Sequence, residues 1–376
     1  MTDAPRATPF HGRAAARNRF NRWAGRGGFT LAEDYGDAQE EALAARTGAV
    51  ITDISWRWRV FVEGAKAGPF LNRLVTRDAN ALMPGQALKA LWLNDGGAVR
   101  GAAVVARFAS DKFLLASAAT DAAWLSMAAS PFDVTLRDVT EQEGGIALIG
   151  PYADQILRAA GLDADVAPLE FRKVFWRGLD VTISRWGEQG GYEIWVAAND
   201  CFFLWDRLLK AGAQFGIQPA GLAAADILDI EAGVPRPERD YSAARDGFIS
   251  EPTPNSLGLE SLIDEHHTSF NGRAGWLANR TKSKAVLVGV EFDSETPASF
   301  TALIQNGRPV GHTLTSVRSP TLRRAIALAQ IERPAAVLGA NFALTLPISL
   351  ESPAYRTVSA RVAVLPFFES PVSIAL

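Results

Sequence analysis

Apolar residues recur at two different periods along this chain, and the switches between the periods predict its elements. From about Glu33 to Thr47 alanines and leucines fall at helical spacing, with Gly48 placed as the stop. Val50, Ile51 and Ile54, followed by Arg59-Val60-Phe61-Val62, read as strand, and Ala65 to Leu74 reads as a helix. Residues 88–94, 102–108 and 112–117 give short strands separated by Gly96-Gly97 and Ser110-Asp111. After Gly150-Pro151 comes another helix, then extended segments near 174–184 and 191–197 around a turn from Trp186 to Gly191. Residues 200–211 form a predicted helix with Phe202, Trp205, Leu208 and Leu209 on one face, closed by Gly212. A second runs from about Gly221 to Ala232, turning Leu222, Ala225, Leu228 and Ala232 to the core and placing Asp226 and Asp229 on a shared face. Residues 234–256 contain four prolines and little periodicity, which reads as a long ordered loop of the kind that carries function. Beyond about 280 the pattern turns β-rich, with a hairpin turn at Asn306-Gly307. Antiparallel strands mixed with helices make the fold class α+β. The expected organisation is an N-terminal arm over 1–30, a main body over 31–280 and a small β-domain over 281–376.

Composition narrows the function. A formal net charge of −3 gives no concentrated basic surface for nucleic acid, so a small-molecule substrate is expected. The single cysteine, Cys201, excludes an internal disulfide and a cysteine metal cluster, and its apolar segment predicts a buried packing role. The arginines at 6, 13, 17, 19, 22 and 26 resemble an organellar transit peptide, but Pro5, Pro9 and the glycines at 25, 27 and 28 break any long amphipathic helix. No apolar run approaches the ~20 residues that span a bilayer. The expectation is a cytoplasmic protein with no membrane partner; a homodimer is a candidate assembly. His11, His266, His267 and His312 include only one close pair, and adjacent residues seldom chelate one ion, so no metal is expected.

Several stretches, in one order and at matching spacing, resemble the glycine-cleavage T-protein superfamily along nearly the whole chain. They are Arg46-Thr47-Gly48-Ala49 with Thr52-Asp53-Ile54-Ser55, then Val62-Glu63-Gly64-Ala65, Leu74-Val75-Thr76-Arg77-Asp78, Pro84-Gly85-Gln86 and Asn94-Asp95-Gly96-Gly97. Gly150-Pro151, Gly191-Tyr192-Glu193-Ile194, Gly221-Leu222 with Asp226 and Glu231-Ala232-Gly233, and Pro309-Val310-Gly311-His312 with Ser319-Pro320-Thr321-Leu322 complete the series. Arg6-Ala7-Thr8-Pro9-Phe10 and Ile183-Ser184-Arg185 look more like the tetrahydrofolate-dependent demethylases of that superfamily, such as dimethylsulfoniopropionate demethylase. The resemblance implies three subdomains in a ring around a central folate channel, with a small C-terminal β-barrel alongside. It implies tetrahydrofolate as cofactor, with Glu193, Tyr192 and Asp226 in the folate-binding set.

A pterin is gripped by a carboxylate that accepts from its amino group and ring N–H, which makes Glu193 the anchor candidate. Alternation sends Glu193 to the face opposite Tyr192 and Ile194, and leaves open whether that face is solvent or pocket. Trp56, Arg57 and Trp58 lie where the family faces its channel and are candidates for binding an aromatic or anionic substrate. Four positions depart from the family pattern. Arg100 stands where an acid is usual, Ile149 replaces a glutamine, and Ala225 and Asp229 replace arginines. Arg100 cannot act as a base but attracts anions, so it is a candidate substrate clamp in the catalytic set. Tyr241, near Arg236, Arg239 and Arg245, is an acid/base candidate if the guanidiniums lower its pKa. The resulting expectation is an O- or S-demethylase that moves a methyl group from a small carboxylated, methoxy-aromatic or similar substrate to tetrahydrofolate. Two readings stay open beside it: a lyase or decarboxylase on the same fold, and a folate-binding protein without turnover.

Overall fold

A computed structural model describes residues 4–162, 165–187, 191–244, 252–294, 298–347 and 355–368. Two antiparallel sheets and a barrel carry the architecture. The first sheet has six strands in the order Phe171–Trp176, Leu179–Ser184, Tyr192–Ala197, Glu143–Ile149, Ala49–Asp53 and Ile217–Pro219, the last pair alone parallel. Ile51, Ile146, Leu148, Ile183, Ile194 and Val196 pack one of its faces against helices Ala153–Ala160 and Cys201–Gly212 in the largest apolar core. The second sheet runs Ala87–Leu93, Val99–Ala109, Lys112–Ser117, Trp58–Glu63 and Thr135–Asp138, covered by helices Ala67–Leu74 and Ala122–Ala129. Strands between Ala285 and Ala363 close into a six-stranded barrel with its own core around Val290, Leu303, Ala327 and Leu344. The fold class is the α+β one expected.

Local chemistry explains where elements begin and end. The first long helix starts at Ala38 rather than near Glu33, because Asp37 caps it by accepting from the N–H groups of Gln39 and Glu40 at 2.7 and 3.1 Å. The residues before it form a hairpin, Trp23–Arg26 with Phe29–Ala32, joined by Arg6–Ala7 in a three-stranded sheet. The extended segment near 174–184 is itself a hairpin that turns at Arg177 and Gly178, both at positive φ. Asn306 and Gly307, at φ 52° and 75°, make the barrel hairpin between Ala302–Gln305 and Arg308–Ser319, a geometry that this residue pair tolerates best. Helix Cys201–Gly212 buries Cys201, Leu204, Trp205 and Leu208, while Phe202 lies 42% exposed, so the apolar face is rotated from the expected one. Gly97 belongs to packing: at φ 83°, a side chain there would meet the backbone nitrogen of Trp276 at 2.1 Å. Residues 188–190 of the glycine-rich turn lie outside the described residues, as do 245–251 of the proline-containing loop.

Two adjoining cavities follow: the first lies between the six-stranded sheet and helix Leu222–Glu231, and the second between the five-stranded sheet and residues 234–241 of the following loop, with Glu193 of the six-stranded sheet on both linings.

Candidate functional site

The register of the six-stranded sheet places Thr52, Ala147 and Glu193 opposite one another in three neighbouring strands. Facing residues of an antiparallel pair share a side of the sheet, so Glu193 stands in a row of small side chains, and the row leaves room. That room is the first cavity, about 600 Å³, whose wall includes Thr52, Ile54, Trp56, Ala147, Leu222 and Leu228. Glu193 is 2% exposed. Its Oε2 accepts from the indole N–H of Trp186 at 2.8 Å, and its Oε1 accepts from a guanidinium N–H of Arg57. A carboxylate offers about four lone-pair sites, so each oxygen keeps one for a ligand. Tyr192 turns the other way, where its hydroxyl donates to Asp154 at 2.5 Å; burial first, then Asp154, pushes its pKa up to about 12. It touches the cavity wall with its hydroxyl already spent.

Trp56 and Arg57 are delivered by a loop whose form is fixed just upstream. Asp53 accepts from the N–H of Ser55 at 2.9 Å and from the hydroxyl of Thr8 at 2.5 Å, while Ser55 Oγ accepts from the N–H of Gly145 at 3.1 Å. Burial pushes the pKa of Asp53 up against these bonds. Trp56 lines the first cavity, and the guanidinium of Arg26 lies 5.4 Å over its ring. Trp58 does not join them. It packs in the core of the second sheet and donates its indole N–H to Asp138 at 2.9 Å.

Arg57, Glu193 and Arg236 line both cavities and therefore stand where these meet. The second cavity, about 780 Å³, is bounded by the five-stranded sheet through Lys89, Ala103 and Val104 and by the loop through Pro235, Pro237 and Tyr241. A third space of about 1110 Å³, shared by Arg26, Trp56 and Arg236, leads outward past Gly25, Thr120 and Glu238. Arg236 is aimed by a two-pronged pair with Asp229, Nε donating at 2.5 Å and Nη2 at 2.9 Å. Burial would raise the Asp229 pKa, but Arg236 and Arg239 together hold it below the ordinary carboxylate range. Asp226 pairs with Arg26 at 2.7 Å and Arg239 at 2.9 Å and lines neither of the two cavities.

Two expectations are corrected here. Arg100 is 5% exposed, its fork is filled by Asp121 at 2.9 and 3.2 Å, it stacks 4.7 Å over Trp124, and it lines neither cavity. A guanidinium already matched to a buried carboxylate is not a clamp for a second anion. Tyr241 does line the second cavity, but burial and then Asp240 raise its pKa rather than lower it, so its phenol stays protonated. Sequence reasoning missed Trp186 and Lys89, and it noted Arg236 only as a neighbour of Tyr241. The pairing of Trp186 with Glu193 spans a hairpin whose register no local pattern displays.

The GCVT N-terminal domain model matches residues 14–261, and the glycine cleavage T-protein C-terminal barrel domain model matches residues 286–369. The chain belongs to the glycine-cleavage T-protein family. An aminomethyltransferase of Clostridium botulinum (strain Loch Maree / Type A3) is 31% identical over 328 residues, covering 84% of this chain and 86% of that protein. One of Geobacillus kaustophilus (strain HTA426) is 33% identical over 327 residues, covering 83% and 87%. The crystal structure of glycine cleavage system aminomethyltransferase T from Bartonella henselae shares the fold, with a TM-score of 0.85, 23% identity and coverage of 97% and 98%. This T-protein relative is thus an enzyme of the folate-dependent aminomethyltransferase family, whose members use tetrahydrofolate. Among the described residues, no helix is long and apolar enough to cross a membrane.

Three of the four positions at which it departs from the expected pattern, Ala225, Asp229 and Ile149, lie at the first cavity, and Arg100 does not. On helix Leu222–Glu231, Asp229 holds a guanidinium sent in from the loop by Arg236, which brings a positive charge to the cavity. A pterin fits the site on one observation above the rest: a buried carboxylate faces the cavity with acceptor capacity left and only small neighbours in its row.

Proposed function

We propose that this chain is a tetrahydrofolate-dependent methyltransferase acting as a demethylase on a small carboxylated substrate, in the cytoplasm. The observation that carries the reading is Glu193, a buried carboxylate at the junction of two cavities, positioned to accept from the amino group and ring N–H of a pterin. Tetrahydrofolate supplies the nitrogen that takes the one-carbon unit. The chain's own residues bind and align: Glu193 orients the pterin, Trp56 and Leu222 shield its face, and Arg57 and Arg236 supply positive charge beside it. Displacement of a methyl group demands mainly alignment and exclusion of water, which two cavities meeting at one point provide.

Calorimetric titration with tetrahydrofolate tests this directly. Binding by the unaltered protein is expected, weakened by about 1.5–3 kcal/mol in Glu193→Gln, the usual effect of removing charge from a charged hydrogen bond. Glutamine is chosen because alanine would strand both Arg57 and Trp186. Absence of tetrahydrofolate binding by the unaltered protein would reject methyl transfer and leave the lyase reading standing.

A further inference from the structure

The second cavity has a composition of its own. Most of its wall is small and apolar, including Ala90, Ala103, Val104, Val234, Leu259 and Leu262. Its charged lining, among the described residues, is Arg57, Lys89 and Arg236 against the single carboxylate of Glu193. One buried donor on that lining is unspent: the Nε–H of Arg57 has no partner. The phenol of Tyr241 stands on the same lining. Burial keeps that phenol protonated, so it can only be offered as a donor or a neutral acceptor. A buried donor left unmatched is uncommon and costly, and an anionic acceptor placed beside Arg57 would satisfy it.

We propose that the junction end of the second cavity is a carboxylate site, built from Arg57 and the Tyr241 hydroxyl, for a substrate with a compact apolar body, with Arg236, held by Asp229, as a neighbouring positive charge rather than a direct partner. The proposal rests on the reading of Glu193 as the pterin anchor, and it adds a consequence. Arg57 is the direct partner of Glu193 when no ligand is bound, so a carboxylate that engages the Arg57 fork draws it away and frees Glu193 for the pterin donors. Each ligand then strengthens binding of the other by the same factor. The alternative source of a carboxylate is the glutamyl tail of tetrahydrofolate itself, and the two sources differ in sign: a substrate site gives synergy, a tail site gives competition.

The full-length protein is titrated with benzoate as probe and benzamide as its neutral counterpart, followed by tryptophan fluorescence and calorimetry. Benzoate is expected to bind at least about tenfold more tightly than benzamide, and Arg57→Gln to weaken benzoate by about tenfold or more. Arg57→Lys keeps the charge without the fork and is expected to fall between the two. Saturating benzoate is expected to tighten tetrahydrofolate binding severalfold in the unaltered protein and to have no effect in Arg57→Gln. Equal binding of benzoate and benzamide, or an Arg57→Gln protein that melts normally and binds benzoate unchanged, overturns the site. Competition between benzoate and tetrahydrofolate, or independent binding, overturns the assignment to a substrate that shares Arg57. Failure of tetrahydrofolate alone to bind would sink the functional reading, while the benzoate arm would still decide the anion site.

Discussion

Glu41 lies 4% exposed, accepting from the N–H of Tyr35 at 2.6 Å and from the N–H of Gly221 at 2.8 Å. Burial outweighs these and the backbone of Gly36 and pushes its pKa from 4.5 up to about 7. A carboxyl whose pKa is higher folded than unfolded stabilises the fold below its unfolded pKa, and that contribution is lost as pH rises through the folded value. Between about pH 5 and 8 the unaltered protein should therefore lose up to about 3 kcal/mol relative to Glu41→Gln. Urea unfolding of the two proteins across that range measures it; parallel curves would show that the backbone donors keep Glu41 ionised throughout. Single residues also show what a sequence does and does not display. Alternation along Tyr192-Glu193-Ile194 was enough to place Glu193 opposite the core face, because a strand's two sides are set by its own period. The fate of Arg100 was not legible, because its partner Asp121 lies at the start of another element and ion pairs leave no periodic trace.

Helix Leu222–Glu231 concentrates three carboxylates on arginines from three different places. Asp226 takes Arg26 of the N-terminal hairpin, Asp229 takes Arg236 of the following loop, and Glu231 takes Arg46 of helix Ala38–Thr47. The helical pattern of the segment was clear, as was the shared face of Asp226 and Asp229, since both follow from spacing alone. What the pattern could not give was the loop folding back over that face, which sets Arg236 on Asp229. Asp229 is 4% exposed, so removing it strands a guanidinium. Asp229→Ala is expected to cost about 3–5 kcal/mol, as breaking one side of a buried ion pair does. The double variant with Arg236→Ala should recover part of that loss, giving a coupling energy of about 1–3 kcal/mol in a double-mutant cycle. Additive single effects would mean that the pair is incidental and that the backbone of the loop fixes Arg236.

At the scale of the molecule, Glu231 is a buried link between the barrel and the body. Glu231, fully buried, accepts from Arg46 at 2.7 Å and from the hydroxyl of Ser319 on the barrel at 2.5 Å, and its carbonyl accepts from the N–H of Phe368 at 3.1 Å. The Arg46 guanidinium lies 4.5 Å over the Phe368 ring, and Ile230 packs against Leu314, Ile326 and Leu328 of the barrel. Both Glu231 and the serine lie in stretches that carry the family resemblance, but only the fold shows that the two stretches meet. Each side has a separate apolar core, so the junction rather than either core sets whether they unfold together. Glu231→Ala leaves Arg46 without its carboxylate and Ser319 without its acceptor. It is expected to cost about 3–5 kcal/mol and to split thermal unfolding into two calorimetric transitions. Glu231→Gln, which keeps the acceptor for Ser319, should retain one transition at a lowered midpoint. A single transition in Glu231→Ala, moved by less than about 1 kcal/mol, would show that the apolar contact around Ile230 couples the barrel to the body without the buried charge.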